Sequence, residues 1–456
     1  MEISELIQKQ RIFFQSGRTR EISWRNEQLQ TLKTILSDHQ DDFVDALHED
    51  LHKPPFETLS AEILMVRQEI DLHLKNLDSW CKPKSVRGNL FTFPSDNEIR
   101  RAPFGVSLII GSWNYPVNLI LQPLAGSISG GNCTILKPSE LAPATSSLLA
   151  GLLSRYYPTE YIAVAEGGAD TAKRLLSERF DKIFFTGSFR IGQKVMEQAA
   201  KHCTPVTLEL GGKCPAIVHR DADPEVAARR ILWGKCLNAG QTCIAPDYLL
   251  IHESLADSFV RYANDVIRDF FGERPVDSPD FARIVNHEHF NRICSLMDGT
   301  KILAGGETDP RQNYIAPTLM SPPDWDHPVM KEEIFGPLLP ILTYQQIEEV
   351  LPKVQQMPSP LTLYLFSNDS EWLSGLQDQL RYGSCCINDV MLNFSNLHLP
   401  FGGTGESGFG VYHGKESFEA FTRPCGIMTR KKWPAITLRY PPYRKKLTLL
   451  KRLLLR

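Results

Sequence analysis

The chain has 456 residues, of which 42% are apolar and 23% charged, and its 50 Lys+Arg against 53 Asp+Glu give a formal charge of -3. That is mass for about three domains at roughly 150 residues each, and the composition excludes a disordered or fibrous protein. A near-neutral balance offers no global field for nucleic acid. The opening MEISELIQKQ lacks a basic-then-apolar leader, and no apolar run reaches the roughly 18 residues of a spanning helix, so a soluble, cytoplasmic protein is expected. The ten cysteines form no CxxC pair and do not cluster with histidine, so neither a metal site nor a disulfide framework is indicated. They are expected to be thiols in a reducing compartment, at most one or two of them reactive.

Residues 1–80 read as helical, with Ile63, Val66, Ile70, Leu74 and Leu77 recurring at spacings of three and four. A polar stretch with Pro and Gly from Cys81 to Pro103 breaks that pattern, and its Asn89–Phe93 segment reads as one arm of a hairpin. From Gly105 short apolar runs alternate with helical stretches. The runs are Val106–Ile110, Cys133–Leu136, Tyr161–Val164, Lys182–Phe185 and Val206–Leu208, with helices expected from about Pro116 and Pro143. Such alternation predicts a parallel sheet covered on both faces, with nucleotide-binding loops along one edge. A second α/β region follows from about Cys214 to Cys385, and the end of the chain is a basic, leucine-rich tail, KKLTLLKRLLLR.

Several segments carry residues suited to chemistry, each open to a plainer reading. Cys243, behind the turn Asn238-Ala239-Gly240-Gln241-Thr242, could be a thiol at a helix start, where amide dipoles favour thiolate; one cysteine in ten is equally a buried packing residue. Glu209, at the end of an apolar strand and before Gly211-Gly212, could swing into a cleft as a base, or be a surface glutamate at a strand end. Thr186-Gly187-Ser188 to Gly192 follows an apolar strand and opens a helix whose N-terminus can face a phosphate, although it is not the GxGxxG fingerprint. Lys137 and Glu140 end another strand and could bond ribose hydroxyls, or form a solvated ion pair. Asn114 lies between Trp113 and Tyr115, where an amide can stabilise an oxyanion or simply form a turn.

Taken in order, and joined by Glu332-Glu333-Ile334-Phe335-Gly336-Pro337 and Pro400-Phe401-Gly402-Gly403, these segments resemble the aldehyde dehydrogenase superfamily from the N-terminal helices to about Thr422. The short N-terminus, the Leu208–Lys213 segment, Val411–Lys415 and the Arg439–Tyr443 tail look most like its class 3, the fatty and aromatic aldehyde branch. The resemblance implies an α/β fold. It comprises a Rossmann-like cofactor domain at 1–80 and 103–208 and a catalytic domain at 209–385. A bridging, oligomerising β arm at 81–102 and 386–424 and a tail at 425–456 complete it. It implies Cys243 as nucleophile, Asn114 with the Cys243 amide as oxyanion donors, and Glu209 as the base for thioester hydrolysis. Lys137 and Glu140 would lie at the adenosine ribose, Gly187, Ser188 and Gly192 at the pyrophosphate, and Glu333 and Phe335 at the nicotinamide ribose. Glu140 would repel a 2′-phosphate and favour NAD, with NADP still open. Thr404, where an aliphatic residue is more usual, and Cys214, where serine is common, depart from the pattern.

The implied reaction is NAD(P)-dependent oxidation of aldehydes, medium- to long-chain aliphatic, aromatic or isoprenoid-derived, to carboxylic acids. Tyr115, Trp233 and Phe394 read either as an apolar substrate funnel or as ordinary core. The resemblance also implies a homodimer. The tail, with leucines 447, 450 and 454 on one helical face, reads as a peripheral membrane contact, a flap over the substrate entrance, or a docked terminal helix. A CoA-acylating dehydrogenase would not need Glu209, and a cysteine hydrolase would need a histidine partner that no motif supplies.

Overall fold

The computed structural model describes residues 2–89, 92–322, 324–433, 439–443 and 446–454. They divide into two units, residues 1–80 with 103–422, and residues 81–102 with 423–456. The larger unit opens with helices ending in Leu64–Cys81, where Val66, Ile70 and Leu77 of the expected stripe are fully buried.

Five parallel strands follow, which we label β1 (Val106–Ile110), β2 (Cys133–Lys137), β3 (Ile162–Val164), β4 (Lys182–Thr186) and β5 (Val206–Glu209). β1, β2 and β4 are buried at every position, which their unbroken apolar runs require of strands covered on both faces. Their spatial order is β5-β4-β1-β2-β3, so the chain winds outward one way from β1 and then restarts on its other side. The carboxyl ends of β1 and β4 therefore flank a crevice that no crossover helix covers, the place where open α/β sheets bind ligands. After β1 the chain enters α1 (Asn118–Gly130), every residue of which is buried; α1 stops at Gly131, whose φ of 84° permits the left-handed cap. α2 (Pro143–Tyr156) follows β2 with proline in its first turn, as expected, and α3 (Phe189–Ala200) follows β4 with Ser188 at its N-cap.

A seven-stranded sheet forms the rest of the larger unit, in the order Lys301–Ala304, Thr318–Ser321, Leu338–Tyr344, Tyr248–His252, Pro215–Val218, Thr362–Phe366, Ser384–Ile387. Only the edge strand Lys301–Ala304 runs antiparallel. Residues 386–422 also pack in this unit, whereas the sequence assigns 386–424 to the arm. The reason is apolar: Phe401, Tyr412, Phe418 and Phe421 are buried, and Phe421 stacks on Phe184 of β4 at 5.9 Å. Gly408–Phe409 also pairs antiparallel with the end of β5.

The smaller unit contains a three-stranded sheet ordered Lys84–Ser85, Ser95–Pro103, Thr422–Arg430. The expected hairpin arm at Asn89–Phe93 is instead a turn closed by Thr92 and Phe93 amides on the Asn89 carbonyl; its Leu90 and Phe91 lie outside the described residues. The strand starts at Ser95, where alternation begins beyond the prolines. The tail forms a helix over Leu447–Leu454. Among the described residues no helix is long and apolar enough to cross a membrane, and no cluster of His, Cys, Asp and Glu is arranged to hold a metal. All ten cysteines are free.

Candidate active site

Asn114, Glu209 and Cys243, separated by up to 129 positions in the chain, line one cavity of about 440 Å³ in the larger unit. Each arrives at the end of an element. Asn114 sits in the turn after β1, Glu209 is the last residue of β5, and Cys243 follows the short helical turn Leu237–Gly240. Tyr115, Trp233 and Phe394 line the same cavity, Tyr115 buried and Trp233 37% exposed.

The Cys243 loop is held in a conformation that costs energy. Asn238 and Ala239 both adopt left-handed φ, 49° and 51°, in a stretch with no glycine at either position. At Gly240 a side-chain carbon would stand 2.3 Å from the carbonyl oxygen of Gly336, so no other residue fits. Gln241 locks the turn: its amide donates to the carbonyls of Asn238 (3.0 Å) and Arg283 (2.9 Å) and accepts from the Val285 amide (2.9 Å). Thr242 Oγ1 pairs with the Tyr115 hydroxyl at 2.8 Å, tying this loop to the Asn114 turn.

The expectation of a helix start beneath Cys243 is not met. No helix begins there, and burial, reinforced by the Glu333, Cys214 and Glu209 side chains, holds the thiol well above its ordinary range. The protein's own opposing influence is the Cys243 backbone amide. Cys214 donates its thiol to the Cys243 carbonyl at 3.4 Å. Burial thus favours the protonated thiol over the thiolate.

Asn114 is 2% exposed and donates Nδ2 to the Gln241 carbonyl at 3.0 Å. That bond uses one of two N–H groups and leaves the second for a ligand. The turn itself hangs on a buried ion pair that sequence reading missed. Lys53 donates to Glu62 at 2.5 Å and to the Asn114 carbonyl at 2.8 Å, and its ammonium lies 4.1 Å from the centre of the Tyr115 ring. Glu62 accepts the amides of Val117 (3.0 Å) and Asn118 (2.9 Å) with its other oxygen. Neither residue has a sequence signal: Lys53 precedes two prolines, and Glu62 adjoins an apolar stripe.

Glu209 is 3% exposed, and neither carboxylate oxygen has a partner in the protein. Burial holds its carboxyl well above the ordinary carboxylate range. Desolvation without a bonded partner is costly and is tolerated where a site has use for it.

The residues expected at a dinucleotide gather along the crevice beside β1 and β4. Lys137, at the end of β2, is 4% exposed and pairs with Glu140 at 2.6 Å, the latter 42% exposed. Gly187 and Ser188 lie between β4 and α3, with Ser188 making no side-chain cap bond, and Gly192 is in the first turn of α3. Glu333 lies over Gly211, where a side-chain carbon would meet Glu333 Oε2 at 2.1 Å. Burial, with Asp247 nearby, raises the Glu333 carboxyl to about 8. Phe335 takes a left-handed φ of 51° and meets Trp113 edge-on at 5.3 Å. The Thr186 hydroxyl and Glu333 Oε1 are buried without protein partners. Two orphaned polar atoms, an uncapped helix start and a switch-point crevice fit a dinucleotide.

A doubly wound sheet joined to a second α/β sheet, with thiol, carboxyl and amide meeting between their strand ends, defines a nucleotide-linked enzyme. Comparison makes the class specific: the aldehyde dehydrogenase family model matches residues 1–425, and the chain belongs to that family. Aldehyde dehydrogenase family 3 member A2 of Macaca fascicularis is 44% identical over 438 residues, 96% of this chain and 90% of that protein. The 4,4'-diaponeurosporen-aldehyde dehydrogenase of Staphylococcus aureus is 41% identical over 441 residues, 96% of each chain. A solved structure described as the substrate-bound state of Staphylococcus aureus AldH superposes with a TM-score of 0.97 at 39% identity, covering 100% of both chains. The protein is an oxidoreductase that oxidises aldehydes with NAD or NADP.

Proposed function

We propose that this dehydrogenase converts medium- to long-chain or isoprenoid-derived aldehydes to free carboxylic acids, with Cys243, Asn114 and Glu209 as its catalytic residues. The carrying observation is that all three line one cavity whose other walls are largely apolar and aromatic. The relative named for diaponeurosporen aldehyde supports the isoprenoid end of this range.

Residues 1–80 and 103–208 would bind the cofactor, and 209–385 would carry the catalytic cysteine. Lys137 and Glu140 would hold the adenosine ribose, Gly187, Ser188 and Gly192 the pyrophosphate, and Glu333 and Phe335 the nicotinamide ribose. Bound nicotinamide supplies the hydride acceptor. Cys243 Sγ attacks the aldehyde carbon as the thiol proton passes to a water molecule, and the carbonyl oxygen takes the negative charge. The second Asn114 N–H and the Cys243 amide receive that oxygen, and the fixed position of Asn114 means no reorganisation is needed when charge develops. After oxidation the acyl group remains on Cys243 as a thioester. Glu209, once ionised, takes a proton from water as the water oxygen attacks the acyl carbon, and the C–S bond breaks to release acid and thiol. An unpartnered carboxylate in a dry site is a stronger base than one in water, which suits this role and favours hydrolysis over transfer to CoA.

Residues 81–102 belong to the arm through which two copies would pair. The tail helix Leu447–Leu454, with Lys451 and Arg452 in its last turn, would rest against a membrane surface.

The test is cofactor reduction with decanal, with NAD and NADP compared, with and without CoA. Steady reduction without CoA, lost in Cys243→Ala while cofactor binding persists in titration, is expected. Reduction that requires CoA, or that survives Cys243→Ala, would defeat the proposal.

A further inference from the structure

The substrate cavity has a charge pattern that its apolar walls do not require. Apart from thiols and phenols, the ionisable side chains lining it are Glu57, Glu209 and Asp280; among the described residues no Lys, Arg or His lines it. Lys53, which lies under Tyr115, is already neutralised by Glu62 and is fully buried behind the wall. Glu209 sits among buried residues beside Cys243, whereas the far end of the cavity is marked by exposed apolar side chains, Phe56 at 78%, Leu392 at 49% and Trp233 at 37%. Asp280 is exposed, and Glu57, next to Phe56 in sequence, is 8% exposed and fixed by the Asn238 amide on Oε2 at 2.9 Å. Burial holds the Glu57 carboxyl up to about 7, against the Asn238 amide and the Lys53 charge, which lower it, and with a smaller contribution from Asp280, which raises it. Both acids line the one cavity.

We propose that Glu57 and Asp280 are specificity-determining residues that exclude aldehydes bearing a carboxylate at the far end of the chain. The substrate class is then aldehydes uncharged from carbonyl to tail. This rests on the reading of the cavity as the aldehyde site. An alkyl or polyene end replaces water against Phe56, Trp233, Phe270 and Phe271 at a gain in free energy. A carboxylate end must shed water in the same place, finds no cation or guanidinium among the lining side chains to receive it, and meets Asp280 and, above about pH 7, an ionised Glu57. Two walls of one cavity contribute, since Glu57 precedes the Asn114 turn and Asp280 lies in the second α/β region. Neither residue belongs to a motif, so this selection would be a property of the assembled cavity.

The experiment compares kcat/KM for decanal and for the semialdehyde of decanedioic acid, which has the same chain length with a terminal carboxylate. It uses the parent, Glu57→Gln and Asp280→Asn. The parent is expected to favour decanal by roughly a hundredfold, and each variant to narrow that ratio by about tenfold, the size of one like-charge contact partly screened by solvent. The narrowing should come from a lower KM for the carboxylate substrate. Glutamine retains an acceptor for the Asn238 amide, and Asp280 is exposed and remote from the cysteine loop, so at least one variant reports on charge alone. A parent that oxidises decanal but whose ratio is unmoved in both variants, or that oxidises both aldehydes equally, overturns the inference and leaves the dehydrogenase reading standing. A parent that oxidises neither overturns the reading and the inference together.

Discussion

Replacing Glu209 by Gln separates catalysis from folding, because the structure gives that carboxyl a chemical opportunity and no structural partner. Both oxygens are buried without a hydrogen bond, so the amide forfeits no contact. Burial raises Glu209 in the folded protein, whereas the unfolded chain leaves it at an ordinary value. The carboxyl's contribution to stability is therefore intact below the unfolded value and lost as pH rises toward the folded one. Glutamine does not titrate and escapes that loss. The variant should consequently unfold in denaturant no earlier than the parent at about pH 8. Its chemistry should suffer, because loss of a positioned base removes about 10²–10⁴ in rate from the step it serves. Rapid mixing with decanal and NAD should show a burst of reduced cofactor near one per active site, then a steady rate lower by that factor. In the parent the hydrolytic step should quicken with rising pH as Glu209 ionises; in the variant that dependence should vanish. A Glu209→Gln enzyme that cycles at the parent rate, or whose burst is lost along with its steady state, would refute the assignment of the base.

Two further outcomes follow from the geometry. Glu62→Gln should destabilise the fold by about 3 kcal/mol, since removing one charge of a buried pair strands the other; it should also lower kcat, because Lys53 holds the Asn114 carbonyl. Chemical denaturation and steady-state kinetics check both, and a loss under about 1 kcal/mol would mean the Lys53–Glu62 pair is not what supports the turn. Glu140→Gln should raise the NADP-to-NAD ratio of kcat/KM by about tenfold, removing a half-exposed charge that would repel a 2′-phosphate while Lys137 is freed to meet it. An unchanged ratio would place Glu140 away from the ribose.

Much of this molecule was legible in the chain because its signals are local. β1 spans Val106–Ile110 as the apolar run predicts, and β2, β4 and β5 each extend one residue beyond the runs that mark them. Strands buried on both faces must be continuously apolar, and Gly or Pro punctuates the turns between them. The order of the motifs was equally readable, and it pointed to the family before any contact was known. Tertiary structure decided what depends on meeting across distance. Cys243 shares a cavity with Asn114 and Glu209, as Cys236 alone of the other nine cysteines does, and its thiol is raised by burial where a helix start would have lowered it. Lys53 and Glu62 acquire their role only when the N-terminal helices close over the turn after β1, and residues 386–422 join the main unit because their aromatic side chains find β4. Periodicity records which face of an element is apolar; desolvation, charge pairing and orphaned polar atoms arise only when distant elements pack, and those set the chemistry of the site.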